Sequence, residues 1–170
     1  IIVWILEIAV TVVIAVVFTY FFGVRSTVIG ASLSPQLDDG DEVLIDRFMY
    51  KFISPKSGDI IAFLPNGNTN THYYLKRVIA VPGDTVQIKD GSVYVNGEEF
   101  REEIETARME DAGIAGSEMT LAEDEYFVLG DNRNNSEDSR YANIGNIRED
   151  YIIGKAWFVI SPREKLGFIQ

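Results

Sequence analysis

The chain opens with a long apolar run and continues with short segments in which apolar and polar residues alternate. Residues 1–22 are apolar apart from Glu7, Thr11 and Thr19. As an α-helix that rises about 1.5 Å per residue, this run would span about 33 Å, which is enough to cross a bilayer. The pattern therefore predicts a transmembrane anchor over residues 1–23.

Two other interpretations of the apolar run stay open, namely a cleaved secretory signal and a buried core helix. The apolar part of a signal is usually only about 7–15 residues long, and Val28, Ile29 and Gly30 do not make a convincing small-x-small cleavage site before Ala31. The chain begins at Ile1 instead of Met, so upstream residues are expected. Flanking charges therefore give no orientation.

After the anchor, the pattern is that of short strands separated by turns. Asp90-Gly91 and Asn96-Gly97 tolerate positive φ, so both pairs predict two-residue hairpin turns. The expected fold is mainly β, with an antiparallel, barrel-like catalytic domain over residues 24–170 and a small inserted β and acidic subdomain. The strands are expected at residues 42–45, 59–63, 73–81, 85–88, 92–95, 125–129 and 151–160.

Charge is distributed unevenly along the chain. The formal net charge of −11 argues against nucleic acid as a partner and against electrostatic attraction to anionic lipid. The segment 98–125 holds 11 acidic residues against Arg101 and Arg108. Within it, residues 101–111 are expected to form a short exposed helix or, more simply, a solvated surface element.

Lys76 is the first candidate for chemistry, because it lies on an otherwise apolar strand face. Period two places Tyr74, Val78 and Ala80 on the same face. Burial disfavours a charged lysine and lowers its pKa by up to about 3–5 units, which would make it a general base near neutral pH. The alternative is a lysine at a sheet edge whose amine extends into water.

A lysine base needs a nucleophile, and the composition restricts the choice. The chain has no Cys and a single histidine, His72, so Cys-His pairs are excluded and a Ser-His-Asp triad would have to use that imidazole. Ser32 lies in an irregular segment between Gly30 and Pro35, where backbone amides can face a developing oxyanion. Taken alone, a serine in such a loop is usually a plain turn residue.

The segment 130–140, GDNRNNSEDSR, is the third candidate. Its Asn, Asp and Ser residues predict a loop fixed by hydrogen bonds from side chains to the backbone. A hydroxyl from Ser136 or Ser139 could orient a neutral lysine amine. The loop differs from a calcium-binding loop because Arg133 stands at a ligand position and the sixth residue is not Gly, so no metal and no cofactor are expected.

Together these segments resemble the bacterial type I signal peptidases, which are membrane-anchored serine proteases with a Ser–Lys dyad, and the short Gram-positive form in particular. The resemblance covers nearly the whole chain and follows the family order: an anchor, the serine segment 30–37, the strand 58–63, the lysine segment 76–84 and the segment 130–140. The last segment is long and nearly complete, so it is the most specific.

The resemblance implies a role for each matching residue. Ser32 would be the nucleophile with its own backbone amide in the oxyanion site, Lys76 the general base, and Ser136 the hydroxyl that orients the lysine amine. Structural support would come from four charged residues, and shallow substrate pockets from four further residues. The supporting set is Arg77, Asp131, Asp138 and Arg140, and the pocket set is Val28, Leu33, Leu37 and Tyr74.

Three positions depart from the family pattern. Leu33 replaces the usual Met, which keeps an apolar wall. Gln36 replaces a Thr and bears on the geometry of the serine loop, and Ala80 stands where Gly is frequent and could narrow the groove. Gly30 carries no side-chain hydroxyl, so the oxyanion would be left to backbone amides.

The function implied by the resemblance is removal of signal peptides from secreted preproteins by cleavage after small residues. The implied partners are signal peptides and the lipid bilayer, with the Sec translocase nearby. The implied location is the bacterial cell membrane, spanned once, with an extracytoplasmic catalytic domain. Two alternatives are a non-proteolytic relative that assembles pilins or surface proteins, and a self-processing protease of the repressor type, which the anchor and the acidity disfavour.

Overall fold

The computed structural model describes residues 1–102 and 104–169. Its first element is α1 (Ile2–Phe22), a helix whose window Ile2–Tyr20 is long and apolar enough to cross a membrane. None of that window is buried against the rest of the protein. A buried core helix, one of the three interpretations of the apolar run, is therefore wrong.

The domain that follows consists of antiparallel strands in two sheets. The strands are β1 (Val24–Thr27), β2 (Glu42–Asp46), β3 (Ile60–Phe63), β4 (Tyr74–Ala80), β5 (Thr85–Lys89), β6 (Ser92–Val95), β7 (Glu98–Glu99), β8 (Met119–Thr120), β9 (Glu125–Leu129), β10 (Ile147–Arg148), β11 (Ile152–Ser161) and β12 (Gly167–Phe168). The main sheet has the order β1-β2-β11-β3-β4-β9-β10, with β12 paired to β11, and the smaller sheet has the order β7-β6-β5-β8. This arrangement confirms the mainly β fold with a small inserted sheet.

The turns of the smaller sheet form where the sequence predicts them. Asp90 and Gly91 have φ values of 49° and 78°, and Asn96 and Gly97 have values of 53° and 81°. Two successive residues with positive φ match the right-handed twist of the flanking strands. The hairpins β5–β6 and β6–β7 therefore follow from local turn signals. The smaller sheet buries Val86, Ile88 and Val93 against Phe127 of β9.

The acidic segment differs from the expectation at residues 101–111. Residues 101–102 and 104–111 contain no helix, and position 103 lies outside the described residues. These described residues have no regular secondary structure, and Met109 is buried among the core residues of the smaller sheet. The predicted helix is wrong because contacts with distant parts of the chain, described below, fix the backbone instead of local helical contacts.

Strand β4 lies in the middle of the main sheet and is buried on both faces. It pairs with β3 through Tyr74 to Arg77, whereas its pairing with β9 begins only at Arg77. The part of β4 before Arg77 is thus flanked by a strand on one side only, in the ladders that the structure describes. Lys76 is the last residue of this half-open part, which places its amine at a cleft.

Candidate active site

The serine loop connects β1 to β2 and is held by its apolar side chains. Leu33 and Leu37 are fully buried and pack with Val28, Val43 and Ile45. Ser32 lies between these contacts and the cleft and is only half-buried. The prediction that Leu33 and Leu37 line the substrate pocket is therefore wrong, because the turn directs both side chains into the core.

Ser32 and Lys76 meet although they are 44 positions apart in the sequence. The Lys76 amine donates a hydrogen bond to the Ser32 hydroxyl, with 2.6 Å between Nζ and Oγ. When the amine is neutral, the same contact can run in reverse, with the hydroxyl as donor. This is the geometry that a general base needs toward its nucleophile.

Burial decides the protonation of Lys76. Only 5% of the residue is exposed. The loss of hydration lowers the pKa of Lys76 from 10.5 to about 8, against the opposing pull of the carboxylates Asp138, Glu137 and Asp131. A sizeable fraction of the amine is therefore neutral at mildly alkaline pH, and the alternative of a lysine that reaches into water is wrong.

The lowered pKa of Lys76 predicts a stability cost that depends on pH. Below pH 8 the folded and unfolded states both carry the charge, and the folded state bears the whole cost of burying it, about 3 kcal/mol. Between pH 8 and 10.5 only the unfolded state keeps the proton, so the cost falls steadily as the pH rises and is gone above pH 10.5. We expect Lys76→Met to stabilise the domain at pH 7, with an advantage that shrinks toward pH 10.

Chemical unfolding of the two proteins at pH 7, 8.5 and 10 checks this expectation. A Lys76→Met advantage that stays constant over the whole range would contradict a buried amine with a lowered pKa. The exposed-lysine variant Lys89→Met serves as the control, because Lys89 is exposed at the end of β5.

Asn132 holds the backbone of the serine loop. Its main-chain N–H donates to the Ser32 carbonyl at 3.0 Å, and its side-chain amide donates to the Ala31 carbonyl at 3.1 Å. No role for Asn132 is predicted from the sequence. Its place next to Asp131 in the loop 130–140 was the only available signal, since the contact spans 101 positions.

Ser136 lies behind the serine loop. Its hydroxyl is buried and has no hydrogen-bond partner among the described residues. The Ser136 side chain lies beside Gly130 and near the Ser32 carbonyl, and it makes no bond to the Lys76 amine. The Ser139 hydroxyl contacts the backbone, where it accepts the Val128 N–H at 3.0 Å. The role of Ser136 in orienting the lysine stays a prediction.

Gly130 is where the two loops come closest. A Cβ at this position would lie 2.5 Å from the Ser32 carbonyl oxygen and would also overlap the Ser136 side chain. We expect Gly130→Ala to push the serine loop away and lower cleavage by about 10²-fold, since a displacement near 1 Å costs about that much. Gly116→Ala is the control, because its Cβ would meet only Ala112, at 3.6 Å.

Cleavage kinetics of the two glycine variants check this expectation. Activity of Gly130→Ala within threefold of the unchanged protein would show that the tight contact with Ser32 does not matter for the reaction.

Arg77 joins the serine loop to its surroundings. Its guanidinium forms a two-pronged pair with Asp131 at 2.8 and 2.9 Å and donates to the Gly58 carbonyl at 2.6 Å. It also donates to the side-chain oxygen of Gln36. Gln36 thus links the serine loop directly to a buried ion pair.

Asp138 and Arg140 form a second buried pair. The Asp138 carboxylate accepts from Arg140 at 2.8 and 2.9 Å and from the Gly130 N–H at 3.1 Å. The carboxylate thereby fixes both ends of the loop 130–140. All four residues predicted to support the site are buried, and they form two ion pairs around it.

The Ser32 backbone N–H is free to donate a hydrogen bond. In the part of the chain that the structure describes, this N–H has no acceptor. Gly30, two residues earlier, has a φ of 80°, which glycine adopts without strain, and donates its own N–H to Asp39 at 2.7 Å. A backbone N–H without an acceptor beside a nucleophile can donate to a developing negative charge, as the sequence predicts for Ser32.

The cleft beside Ser32 and Lys76 has a volume of about 590 Å³. Val28 and Tyr74 line this cleft, and Ile29 and Leu75 add apolar surface. The sequence did not indicate the polar rim, which comes from the loop before β4 and from the loop 130–140. That rim consists of Asn70, Thr71, His72 and Asn135.

Known proteins resemble this chain over most of its length. The family model described as signal peptidase, peptidase S26, matches residues 1–161. The chain is 35% identical over 166 residues to signal peptidase I T of Bacillus subtilis, covering 94% of this chain and 84% of that protein. It is 33% identical to the probable signal peptidase I-2 of a Synechocystis species, covering 96% and 77% of the two chains.

A solved structure of a signal peptidase I from Enterococcus faecalis is 33% identical to the chain. It aligns with a TM-score of 0.46 and covers 61% of this chain and 97% of its own.

Proposed function

We propose that Ser32 is the nucleophile and Lys76 the general base of this chain, which belongs to the signal peptidase family, peptidase S26, and removes signal peptides as a serine peptidase. The observation that carries the proposal is the 2.6 Å contact between a hydroxyl at a cleft and a buried amine. Membership of the family agrees with the resemblance drawn from the sequence.

The reaction then follows from the positions of these groups. The neutral Lys76 amine takes the Ser32 proton while Oγ attacks the carbonyl carbon of the scissile bond. The Ser32 N–H stabilises the oxyanion, and the Lys76 ammonium returns the proton to the leaving amine. The acyl-enzyme is hydrolysed when Lys76 takes a proton from a water molecule that attacks the ester, and the proton returns to Ser32.

The substrate would lie in the cleft as an extended strand. The half-open part of β4, from Tyr74 to Lys76, offers a strand edge on one side, and residues 28–31 face it on the other. Val28 and Tyr74 are the proposed walls of the pockets for small residues at the first and third positions before the cleaved bond.

Cleavage of a model preprotein tests the proposal. The purified full chain, in detergent or vesicles, is incubated with a preprotein that has Ala at both positions, and the new amino terminus is sequenced. We expect one cut after the second Ala and none when that Ala is replaced by Trp. Cutting elsewhere, or equal cutting of the Trp variant, would contradict the proposed pockets.

The exposed apolar helix and the relatives together indicate membrane anchoring. We propose further that the membrane is the bacterial cell membrane, that α1 crosses it once, and that the domain lies on the outer face near the Sec translocase. Signal peptides emerge there within the bilayer, so tethering the enzyme to the same membrane raises the frequency of encounter. Protease digestion of intact spheroplasts should remove the domain, and full protection would contradict this orientation.

Direct contact of the domain with lipid is proposed through apolar side chains, since the net charge of −11 opposes attraction to anionic lipid. Met49, Phe52 and Ile53 follow β2 and are exposed. Phe168 of β12 is also exposed. The proposed membrane helix α1 contacts β1 and β2. This part of the domain would therefore lie close to the bilayer, which supports the proposed contact.

A binding protein without proteolytic activity, acting in pilin assembly, has no specific support. The sequence feature that favoured it was Gln36, and the bond between Gln36 and Arg77 accounts for this residue within the site.

A further inference from the structure

We propose that Glu102 is a positioning residue for the reaction, acting on Ser32 through Arg133 and the backbone of the loop 130–140. Glu102 belongs to the acidic strap, the name used here for residues 100–102 and 104–116, a part of the chain that the sequence predicts to be a solvated surface element. The inference rests on the proposed role of Ser32 and adds a part of the chain outside the segments that carry the family resemblance.

Glu102 forms a buried ion pair with Arg133. Only 9% of the Glu102 side chain and 2% of the Arg133 side chain are exposed. The Thr106 hydroxyl lies 3.4 Å from the other carboxylate oxygen of Glu102. By contrast, Glu105 in the same strap is exposed. A buried arginine needs a partner, because an unpaired charge in the interior is costly.

Arg133 passes this contact on to the backbone behind Ser32. Its Nε donates to the Gly130 carbonyl at 3.0 Å. Gly130 packs directly against the Ser32 carbonyl, and Asn132, next to Arg133, donates its N–H to that same oxygen at 3.0 Å. The path from Glu102 to Ser32 therefore has three contacts. They are the ion pair with Arg133, the bond from Arg133 to the Gly130 carbonyl, and the packing of Gly130 against the Ser32 carbonyl.

The rest of the strap holds the loop 130–140 at two further points. Asn134 bonds to the strap in both directions: its side-chain oxygen accepts the Glu110 N–H at 3.0 Å, and its amide donates to the Arg108 carbonyl at 3.0 Å. Arg140 donates to the Asp111 carbonyl at 3.1 Å, and its own carbonyl accepts the Ile114 N–H at 2.9 Å.

These contacts define what Glu102 contributes. The hydrogen bonds from the strap to Asn134 and Arg140 hold residues 134–140, whereas the Glu102 pair acts on the Arg133 side chain in the segment 130–133 that touches Ser32. Arg140 also donates to the Arg133 carbonyl at 2.5 Å, so the backbone of Arg133 keeps a contact when Glu102 is changed. Without the carboxylate, the Arg133 guanidinium would be drawn toward water and would pull on the Gly130 carbonyl. The expected result is a misplaced Ser32 in a domain that still folds.

Glu102→Gln tests the proposal against Glu105→Gln, which makes the same charge change on an exposed position of the strap. Both variants are assayed as full chains on the model preprotein, with Ser32→Ala alongside. Active sites are counted by titration with a tight-binding lipopeptide inhibitor of Ser–Lys peptidases. We expect Glu102→Gln to lower kcat per titrated site by about 10- to 100-fold with KM changed less than threefold, because about 1 Å of misplacement has such an effect.

A purely structural role would reduce the number of titrated sites and leave kcat per site unchanged, and this result would overturn the proposal. Arg133→Lys is the second variant, for use if Glu102→Gln fails to fold. It keeps the charge opposite Glu102 but loses the Nε bond to the Gly130 carbonyl. A lower kcat per site supports the positioning role, and an unchanged kcat contradicts it.

The outcome for Glu102 is separable from the outcome for the proposed dyad. Activity in Ser32→Ala would refute the nucleophile whatever Glu102→Gln does. An inactive Ser32→Ala together with an unchanged Glu102→Gln would refute only the positioning role.

Discussion

The Ser32→Ala variant is expected to lose at least about 10³-fold of the rate of preprotein cleavage while the domain keeps its fold. Ser32 Oγ is the only atom of the proposed dyad that forms the covalent intermediate, and alanine leaves the Lys76 amine with nothing to activate. The fold should survive because Leu33 and Leu37, on the far side of the turn, hold the loop in the core.

Ser34→Ala is the matched control, since Ser34 lies in the same loop and donates its hydroxyl to Asp38 at the surface. We expect it to cleave the preprotein within threefold of the unchanged protein. Mass spectrometry of the enzyme mixed with an acylating substrate analogue should find the adduct on Ser32. An adduct on another residue, or turnover by Ser32→Ala, would rule out Ser32 as the nucleophile.

The Lys76→Arg variant is the second change with a large expected effect. Arginine keeps the positive charge and much of the length of the side chain, but it stays protonated at every accessible pH, so it cannot take the Ser32 proton. We expect cleavage to fall by at least about 10³-fold and not to recover at pH 10. Lys76→Met, which has neither a charge nor a base, should be equally inactive. Equal loss in the two variants would show that the charge alone contributes nothing without a base.

His72 provides the control for this experiment. It lines the cleft and is the single imidazole in the chain, so it is the one alternative base of that type. His72→Gln is expected to keep activity within threefold. Loss of activity in His72→Gln, or turnover by Lys76→Arg, would move the role of base away from Lys76.

Local signals made part of the fold predictable. The β5–β6 hairpin follows from alternation and from Asp90-Gly91, and the burial of Lys76 follows from an apolar strand face. The sequence does not predict the short strands β1, β7, β8, β10 and β12, because two to four residues carry no readable period and these strands form only by pairing with longer strands. Strand β4 is buried on both faces because it lies inside the sheet, which its sequence alone does not reveal.

The site was predictable to the extent that its residues lie in recognisable segments. Ser32, Lys76 and the four charged residues of the supporting set lie in such segments, but the sequence does not reveal that Asp138 pairs with Arg140. The inward direction of Leu33 and Leu37 depends on how the turn packs against β2, and the contacts of Asn132 and Glu102 join positions far apart in the chain. Such contacts leave no local pattern, so only the folded structure reveals them.

The pH dependence of kcat/KM for the model preprotein tests the central claim most directly. If a buried, neutral Lys76 is the base, kcat/KM rises about tenfold per pH unit at acidic and neutral pH, because the reactive fraction is the deprotonated one, and levels off above a pKa of about 8. His72→Gln should show the same curve. A value of kcat/KM that stays constant from pH 6 to 9 would contradict the claim that Lys76 is the base. A rise in kcat/KM centred near the ordinary imidazole pKa of about 6.5, present in the unchanged protein and absent in His72→Gln, would contradict it as well.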